Sequence, residues 1–329
     1  MNDRKAWVDI SKGIAILLVI FEHSLLDSDW LLARVILIFH MPFFFFISGY
    51  CFNIKGTSHE VVVAYIRRTI LNTLRIVGII GLVSFPFYTM KSFLKGELTI
   101  ELIATNFCNY IYGNSIQGHA FGGGYWFIVT LMWCKIIFAI LKKYDMKIRA
   151  TIIIALMILG PLTNFHKYAL LPLSMDNITF ALIFYMAGEY IKEAEAKECC
   201  IQGMKYRKIS IVILGLVVIL CAYYNCGPVL MYKNIYGIYP LFYLGAFAGI
   251  FGICQVSHCI DSSNNCKGLR QLFTYFGNTL WFYLMQFYVL NVIISFVIRL
   301  PVGAYMGSLL IFITTTMCLI PINSLLRKL

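Results

Sequence analysis

Ten apolar stretches, most of them close to the length of a membrane span, constrain this chain more than any other feature of its sequence. A helix needs about 20 apolar residues to cross the hydrocarbon core of a bilayer. Open sheets are excluded from such segments, because lipid leaves the polar groups at a sheet edge unsatisfied. The sequence therefore predicts an all-α membrane protein, a polytopic bundle of about ten transmembrane helices. The predicted spans are residues 8–26, 31–52, 69–90, 124–141, 150–166, 177–192, 209–226, 236–256, 274–298 and 304–325.

The composition agrees with a membrane protein. Hydrophobic residues make up 60% of the chain and charged residues only 13%, whereas soluble domains are about 25% charged. The net charge of +12 would suggest nucleic acid in a soluble protein. Here the basic residues lie mostly in short loops between apolar stretches, where they set topology. We therefore expect membrane lipid and no nucleic acid as a partner, and one transmembrane domain over residues 1–329.

The distribution of lysine and arginine predicts the orientation. If the N-terminus is cytoplasmic, the inside segments hold nineteen of these residues and the outside segments five. Cytoplasmic loops carry such an excess, so both termini are predicted to be cytoplasmic. Residues 53–68 then form a cytoplasmic loop, and residues 91–123 form the longest external loop.

The cysteines give no clear sign of a metal site or of disulfides. There are eleven, an odd number, and most lie inside apolar stretches, where cysteine usually acts as a small hydrophobe. Cys254, Cys259 and Cys266 lie near His258, but their spacing fits no common zinc site. We therefore expect no metal.

Besides Asp9 at its start, the first span, "WVDISKGIAILLVIFEHSLL", contains three ionisable residues that are costly in lipid: Lys12, Glu22 and His23. Lys12 and His23 are eleven residues apart, close to three helical turns, so they share a face over roughly 16 Å. Taken alone, Lys12 could extend to the interface, and His23 could be a hydrogen-bonded packing residue. Because Lys12 and His23 lie on the same helical face, they favour a polar path for a substrate. Glu22 is a candidate to orient His23, although neighbouring helical side chains diverge by about a hundred degrees.

These residues suit a long, thin substrate with an anionic end. A neutral imidazole is a good general base near neutral pH, and a cation near the cytoplasm suits phosphate. Acyl-coenzyme A has this shape. Three arginines, Arg67, Arg68 and Arg75, give the third span a cationic edge for the nucleotide end, because arginine binds phosphate with a planar fork. Positive-inside anchoring explains Arg67 and Arg68 equally well, but not Arg75.

Other polar and small residues have expected roles in the spans and loops. Pro42 should break the second span, and Ser48-Gly49 should let another backbone approach closely. His40 is a second intramembrane imidazole and a candidate to bind substrate. Glu189 should be solvated near the cytoplasmic side. His119 and Trp126 are expected to contact a sugar, or to form an interfacial aromatic belt. Asn278, Gln286 and Asn291 are expected to form hydrogen bonds across helices.

Four motifs, "DISKGIAILLVIFEH", "FHMPFFFFISGY", "YWFIVTL" and "FGNTLWFYLMQFYVL", resemble the acyltransferase-3 family of bacterial integral membrane acyltransferases. The most similar branch is the fucose 4-O-acetylase-like polysaccharide O-acetyltransferases. The resemblance implies a multi-pass protein of the bacterial inner membrane that moves an acetyl group from cytoplasmic acetyl-CoA, the acyl-donor substrate, to a hydroxyl of a carbohydrate or glycan-lipid acceptor. It also implies a catalytic His23, with Lys12 and the third-span arginines at the coenzyme.

Two other classes of function fit the same charged spans. A transporter or flippase for an anionic or glycan-lipid substrate would use them as a permeation path, but no internal repeat is visible in the sequence. A non-catalytic envelope assembly protein would not need Lys12 or His23 at all. The acceptor sugar, the oligomeric state and the choice of His23 as base or acyl carrier stay open at this point.

Overall fold

The structure, a computed structural model, describes residues 5–27, 30–113, 124–163, 171–196, 207–278 and 280–326. Within these ranges the regular structure is helical, with an isolated β-bridge between Leu230 and Ile235. The α-helices of the described residues are α1 (Ala6–Ser24), α2 (Leu31–Leu37), α3 (His40–Tyr50), α4 (His59–Leu94), α5 (Ile100–Tyr112), α6 (Tyr125–Leu141), α7 (Met146–Thr163), α8 (Ile178–Ala196), α9 (Arg207–Tyr224), α10 (Tyr239–Ser262), α11 (Lys267–Gly277), α12 (Trp281–Val297) and α13 (Ala304–Leu326).

Four helical segments of the described chain are long and apolar enough to cross a membrane. They are Leu31–Tyr50, His59–Leu94, Tyr239–Ser262 and Ala304–Leu326. The segments Asn264–Gly277 and Trp281–Val297 make a fifth if they count as one broken span, since they are bent by 82°. The all-helical membrane-type fold is confirmed, whereas the number of ten spans stays a prediction. The predicted span 274–298 is not one helix, because its first residues belong to α11.

The third predicted span begins ten residues earlier than its apolar stretch indicated. Helix α4 has 36 residues, which corresponds to about 54 Å, well beyond the hydrocarbon thickness of about 30 Å. The prediction of a loop over 53–68 is therefore wrong from His59 onward. No glycine or proline lies between Gly56 and Gly78 to stop the helix. Hydropathy indicates where lipid contact begins, not where a helix begins.

The predicted external loop 91–123 also contains a helix, α5. Thr99 caps its N-terminus, where the Thr99 Oγ1 accepts a hydrogen bond of 3.1 Å from Leu102 N. The helix ends at Gly113, whose φ of 68° is a left-handed conformation that favours glycine. The remainder of this predicted loop from residue 114 lies outside the described residues.

Pro42 interrupts the second span as predicted. Helices α2 and α3 are separated at Ile38–Phe39, one turn before the proline. Proline has no N–H to donate to the carbonyl four residues earlier, here that of Ile38. The break therefore precedes Pro42, and His40 begins the helix that follows.

The described residues form two compact units. The first unit consists of those in Met1–Phe44, Ile201–Leu230 and Ile235–Leu329, and the second of those in Phe45–Cys200 and Met231–Asn234. In the first unit α1 contacts α2, α10, α11, α12 and α13. In the second unit α6 packs against α4 and α8, and α7 packs against α8.

Glycines allow close backbone contacts in both units. In the second unit, a Cβ at Gly49 would overlap the carbonyl of Tyr185, and a Cβ at Gly188 would overlap that of Phe46. The predicted close approach at Ser48-Gly49 is thus confirmed. In the first unit, a Cβ at Gly13 would overlap the carbonyl of Phe273 on α11.

Replacement of Gly13 by alanine is expected to lower the free energy of unfolding by about 1–3 kcal/mol, the usual cost of overpacking. The Phe273 carbonyl belongs to the backbone of α11 and cannot rotate away as a side chain would. Thermal unfolding of the detergent-solubilised protein measures the change. Gly215→Ala in α9 is the matched control, because a Cβ there meets nothing within 4 Å. Equal melting temperatures for the two variants would refute this account of the α1–α11 contact.

Candidate active site

His23 and Glu22 meet in the last turn of α1. His23 Nδ1 lies 2.9 Å from the carbonyl oxygen of Val19 and 2.7 Å from Glu22 Oε2. Both neighbours are acceptors when the carboxyl is ionised, so Nδ1 carries the proton of the neutral ring. The lone pair is then on Nε2. The sequence predicted that adjacent side chains would diverge, but the long Glu22 side chain reaches the ring.

Aromatic side chains support the other side of the His23 ring. The ring of Phe287 on α12 meets it edge-on, with centroids 5.0 Å apart. Phe287 contacts Tyr283, which in turn lies beside Phe44, at centroid distances of 6.1 and 6.4 Å. The His23 side chain keeps 30% of its surface exposed and that of Glu22 only 10%. The imidazole is therefore held in place while part of its surface stays exposed.

The end of α1 is tied to α13. Leu26 N donates a hydrogen bond of 3.1 Å to Ser308 Oγ, and the rings of Phe21 and Phe312 pack edge to face with centroids 5.2 Å apart. These contacts fix the level of His23 relative to α12 and α13. Sequence reasoning missed Phe287 and Tyr283, although their spacing of four residues on an apolar helix was a signal that both face one neighbour.

His40 lies within electrostatic range of Glu22 and His23. Its side chain is buried, with 3% of the residue exposed, and its Nδ1 lies 3.0 Å from the carbonyl oxygen of Ile36. The structure thus gathers two imidazoles and a carboxylate in the first unit. A role of His40 in binding substrate stays a prediction.

Lys12 lies on α1, eleven residues before His23. The helix is continuous from Ala6 to Ser24, so the predicted common face of Lys12 and His23 follows from regular helical geometry. The side chain is half-buried, and the next residue, Gly13, contacts α11.

The second unit presents cations along α4. An open groove of about 580 Å³ is lined, among the described residues, by side chains of this helix, including Arg67 and Arg68. His59 and Asn72 also line it, and sequence reasoning missed both. His59 and Asn72 lie one or two helical turns from the arginines, so their side chains can share a helical face with them. This spacing was the available signal. Arg75 is exposed further along the same helix and is not among the residues that line this groove.

Trp126, one of the two predicted sugar contacts, is not at an exposed site. Trp126 is buried, and its ring packs against Phe45 and Phe127 with centroids 6.3 and 6.2 Å apart. His119 lies outside the described residues. Contact of either residue with an acceptor stays a prediction. No cluster of three or more His, Cys, Asp or Glu side chains that could hold a metal ion occurs in the described ranges.

Comparison with known protein families gives one match. The model of a family described as an acyltransferase domain, acyltransferase-3, matches residues 5–323. This range includes His23, Lys12 and the arginines of α4. No curated protein and no solved structure matches the chain.

Proposed function

Because the chain belongs to the acyltransferase-3 family, we propose that it is a membrane-embedded O-acyltransferase that transfers an acetyl group from cytoplasmic acetyl-CoA to a carbohydrate hydroxyl. The acceptor would be a surface or lipid-linked carbohydrate. The observation that carries the proposal is the Nδ1 atom of His23, which lies beside both Val19 O and Glu22 Oε2. The family match gives no support to a transporter.

His23 would act as the general base. Its Nε2 atom takes the proton of the acceptor hydroxyl as the oxygen attacks the thioester, a role that typically contributes about 10²–10⁴-fold to a rate. The imidazolium that forms is stabilised by the Glu22 carboxylate, 2.7 Å from Nδ1. The same proton can then pass to the departing thiolate of coenzyme A. The Val19 carbonyl therefore orients the ring, and Glu22 balances its charge.

Cations in each unit support an anionic donor. Lys12 is a single charge on the same helix as the base, and a point charge of this kind suits a phosphate group. In the second unit, Arg67 and Arg68 line one groove, and a guanidinium can bind phosphate oxygens through two parallel hydrogen bonds. His59 and Asn72 add further donors there. Acetyl-CoA carries phosphates at one end and a thioester at the other, so each unit separately presents cations that suit its anionic end.

The carbohydrate acceptor rests on the similarity of the sequence motifs to polysaccharide O-acetyltransferases. An inner-membrane location in bacteria rests on the same similarity and on the apolar helices. A carbohydrate hydroxyl needs the base that His23 provides, because it is almost fully protonated at neutral pH. Exclusion of water from the site would favour transfer over hydrolysis.

The purified protein in detergent, incubated with acetyl-CoA and a thiol reagent, tests the proposal. We expect slow release of coenzyme A without acceptor and faster release when glycan-lipids extracted from the source membranes are added. Mass spectrometry of surface glycans from cells with and without the protein should show acetyl groups that depend on it. Absence of acetyl-CoA binding and of thiol release would refute the proposal.

Lys12→Ala is expected to raise the KM for acetyl-CoA about tenfold or more, because the loss of a hydrogen bond to a charged group weakens binding by about this factor. The change in kcat should be small. Lys12→Arg should retain part of the affinity, because it keeps the charge. Initial rates over a range of acetyl-CoA concentrations measure both constants. Lys208→Ala, at an exposed lysine near the start of α9, is the control and should leave KM unchanged. An unchanged KM in Lys12→Ala would assign Lys12 to interfacial anchoring.

A further inference from the structure

Two buried polar residues, Gln286 and Thr315, lie on the neighbouring helices α12 and α13. Leu290 and Ile311 share a buried apolar cluster, and the two helices are antiparallel because a short connection joins them. Gln286 lies one turn before Leu290, and Thr315 lies one turn after Ile311. On antiparallel helices both steps lead away from the cluster in the same direction. Gln286 and Thr315 therefore lie beyond the same end of that cluster, within about one helical turn of each other along the axes, and we call this pair the amide–hydroxyl site.

Both members of the amide–hydroxyl site are buried without hydrogen-bond partners. Gln286 and Thr315 are each 0% exposed. Neither Nε2 nor Oε1 of Gln286 nor Oγ1 of Thr315 has a partner among the described residues. The sequence predicted that Gln286 would bond across helices, and this prediction is wrong for the described part of the chain. Native interiors contain few such groups, since each is costly to bury.

Neighbouring polar residues on the same helices do not share this property. Thr314 and Thr316, on either side of Thr315, donate to the carbonyls of Leu310 and Phe312 at 2.6 and 2.8 Å. Asn291 on α12 donates to the Phe287 carbonyl at 2.8 Å. Side chains of this type can therefore satisfy themselves on their own helix here. Gln286 and Thr315 instead keep their donors free at a fully buried position.

The amide–hydroxyl site lies near the level of His23. Gln286 directly precedes Phe287, whose ring contacts that of His23. Thr315 lies three residues beyond Phe312, which contacts Phe21 of α1. Gln286 thus lies within one helical turn of the general base along the axis, and Thr315 within about one and a half turns.

We propose that Gln286 and Thr315 bind the carbonyl oxygen of the acetyl thioester and stabilise the oxyanion that forms on it. This inference rests on the proposed function. The amide N–H and the hydroxyl O–H are the donor types found in oxyanion holes. Donors held by buried helices need no reorganisation as the negative charge develops. The site would therefore bind the transition state more tightly than the ground state.

The step balances with the groups named. The acceptor oxygen forms a bond to the thioester carbon as its proton moves to His23 Nε2. The carbonyl π electrons move to the oxygen, which Gln286 and Thr315 hold. When the carbonyl re-forms, the carbon–sulfur bond breaks and its electron pair leaves with the sulfur, which takes the proton from His23. The products are the acetyl ester and coenzyme A.

Gln286→Leu and Thr315→Val test the proposal through kcat, KM and thermal stability. Each should lower kcat about 100-fold or more, as the loss of one oxyanion-hole donor does, with the KM for acetyl-CoA within about threefold. Each should also leave the melting temperature unchanged or raised, because an apolar group replaces an unsatisfied polar one. A purely structural role would not combine lower kcat with equal or higher stability. Thr315→Ser keeps the hydroxyl and should retain most of the activity.

Asn291→Leu and Thr316→Val are matched controls, with similar substitutions at residues that bond their own helix. Both should keep kcat within about threefold, well below the loss of an oxyanion-hole donor. Wild-type kcat in Gln286→Leu and Thr315→Val would overturn the inference and leave the proposed function in place. Failure of the wild-type protein itself to release coenzyme A would overturn the proposed function and this role with it. Should Gln286→Leu fail to fold, the Thr315→Val and Thr315→Ser pair decides the question.

Discussion

Replacement of His23 by alanine is expected to reduce acetyl transfer by about 10²–10⁴-fold, the contribution of a positioned general base. The acceptor hydroxyl would then lose its proton to water or not at all. Folding should be unaffected, because the side chain is 30% exposed and its close polar contacts are with Val19 and Glu22 of its own helix. Rates of ester formation by the purified protein measure the loss. Acetylation of surface glycans in cells should fall in parallel.

A second histidine provides the control. His258 on α10 packs against Trp7 with ring centroids 4.5 Å apart, so His258→Phe keeps an aromatic partner and removes the titrating group. It should retain wild-type activity. Glu22→Gln keeps the shape of its side chain but removes the charge that balances the imidazolium, so its kcat should fall less than that of His23→Ala. Continued glycan acetylation by His23→Ala would assign the base to another residue.

Features that depend on local sequence were predictable. The helical class followed from the apolar stretches, the interruption before His40 from Pro42, and the close approach of two backbones from Gly49. Each depends on residues within a turn or two of the feature. Helix boundaries in polar sequence were not predictable from hydropathy, as α4 demonstrates, because a helix continues until a residue stops it rather than until lipid ends.

Contacts of the candidate site were harder to predict, because they depend on side-chain conformation and on the register of distant helices. The sequence placed Lys12 and His23 on one face of α1 and made Glu22 a candidate to orient His23, although neighbouring helical side chains diverge. The 2.7 Å contact between Glu22 and His23 depends on how a flexible glutamate bends. The position of Gln286 relative to Thr315 depends on the register of α12 and α13, which no local pattern fixes.

Glu189 demonstrates the same limit in the second unit. The sequence suggested a solvated glutamate near the cytoplasmic side, but Glu189 is 3% exposed. Its Oε2 accepts a hydrogen bond of 2.7 Å from Arg149 Nη1, and its Oε1 contacts Lys142. Glu193, one turn later on α8, binds Arg149 Nη2 at 3.0 Å and also contacts Lys142. Two cations and two carboxylates therefore join α7 and α8 to the end of α6.

Glu189→Leu is expected to lower the free energy of unfolding by about 3–5 kcal/mol, the cost of leaving a buried charge without its partner. Arg149, also buried at 7% exposed, would keep its ion pair with Glu193 and its cation–π contact with Phe138 but lose the hydrogen bond to Glu189. Thermal unfolding in detergent measures the change. Asp261→Asn is the control, because Asp261 forms a 3.8 Å ion pair with Arg270 at side chains that are 30% and 35% exposed. Exposed pairs contribute about 0–1 kcal/mol, so this variant should unfold near the wild-type temperature.

The double variant Arg149→Met with Glu189→Leu separates the loss of a partner from the loss of a contact. It removes one charge of each sign and leaves Lys142 with Glu193, whose side chains are 23% and 25% exposed. An apolar pair of similar volume often equals or exceeds a buried ion pair in stability. The double variant should therefore unfold at a higher temperature than Glu189→Leu alone. This result requires that the effects of the two substitutions on the free energy of unfolding are strongly coupled. If the two losses simply add, Arg149 and Glu189 contribute independently and the unpaired-charge explanation is wrong.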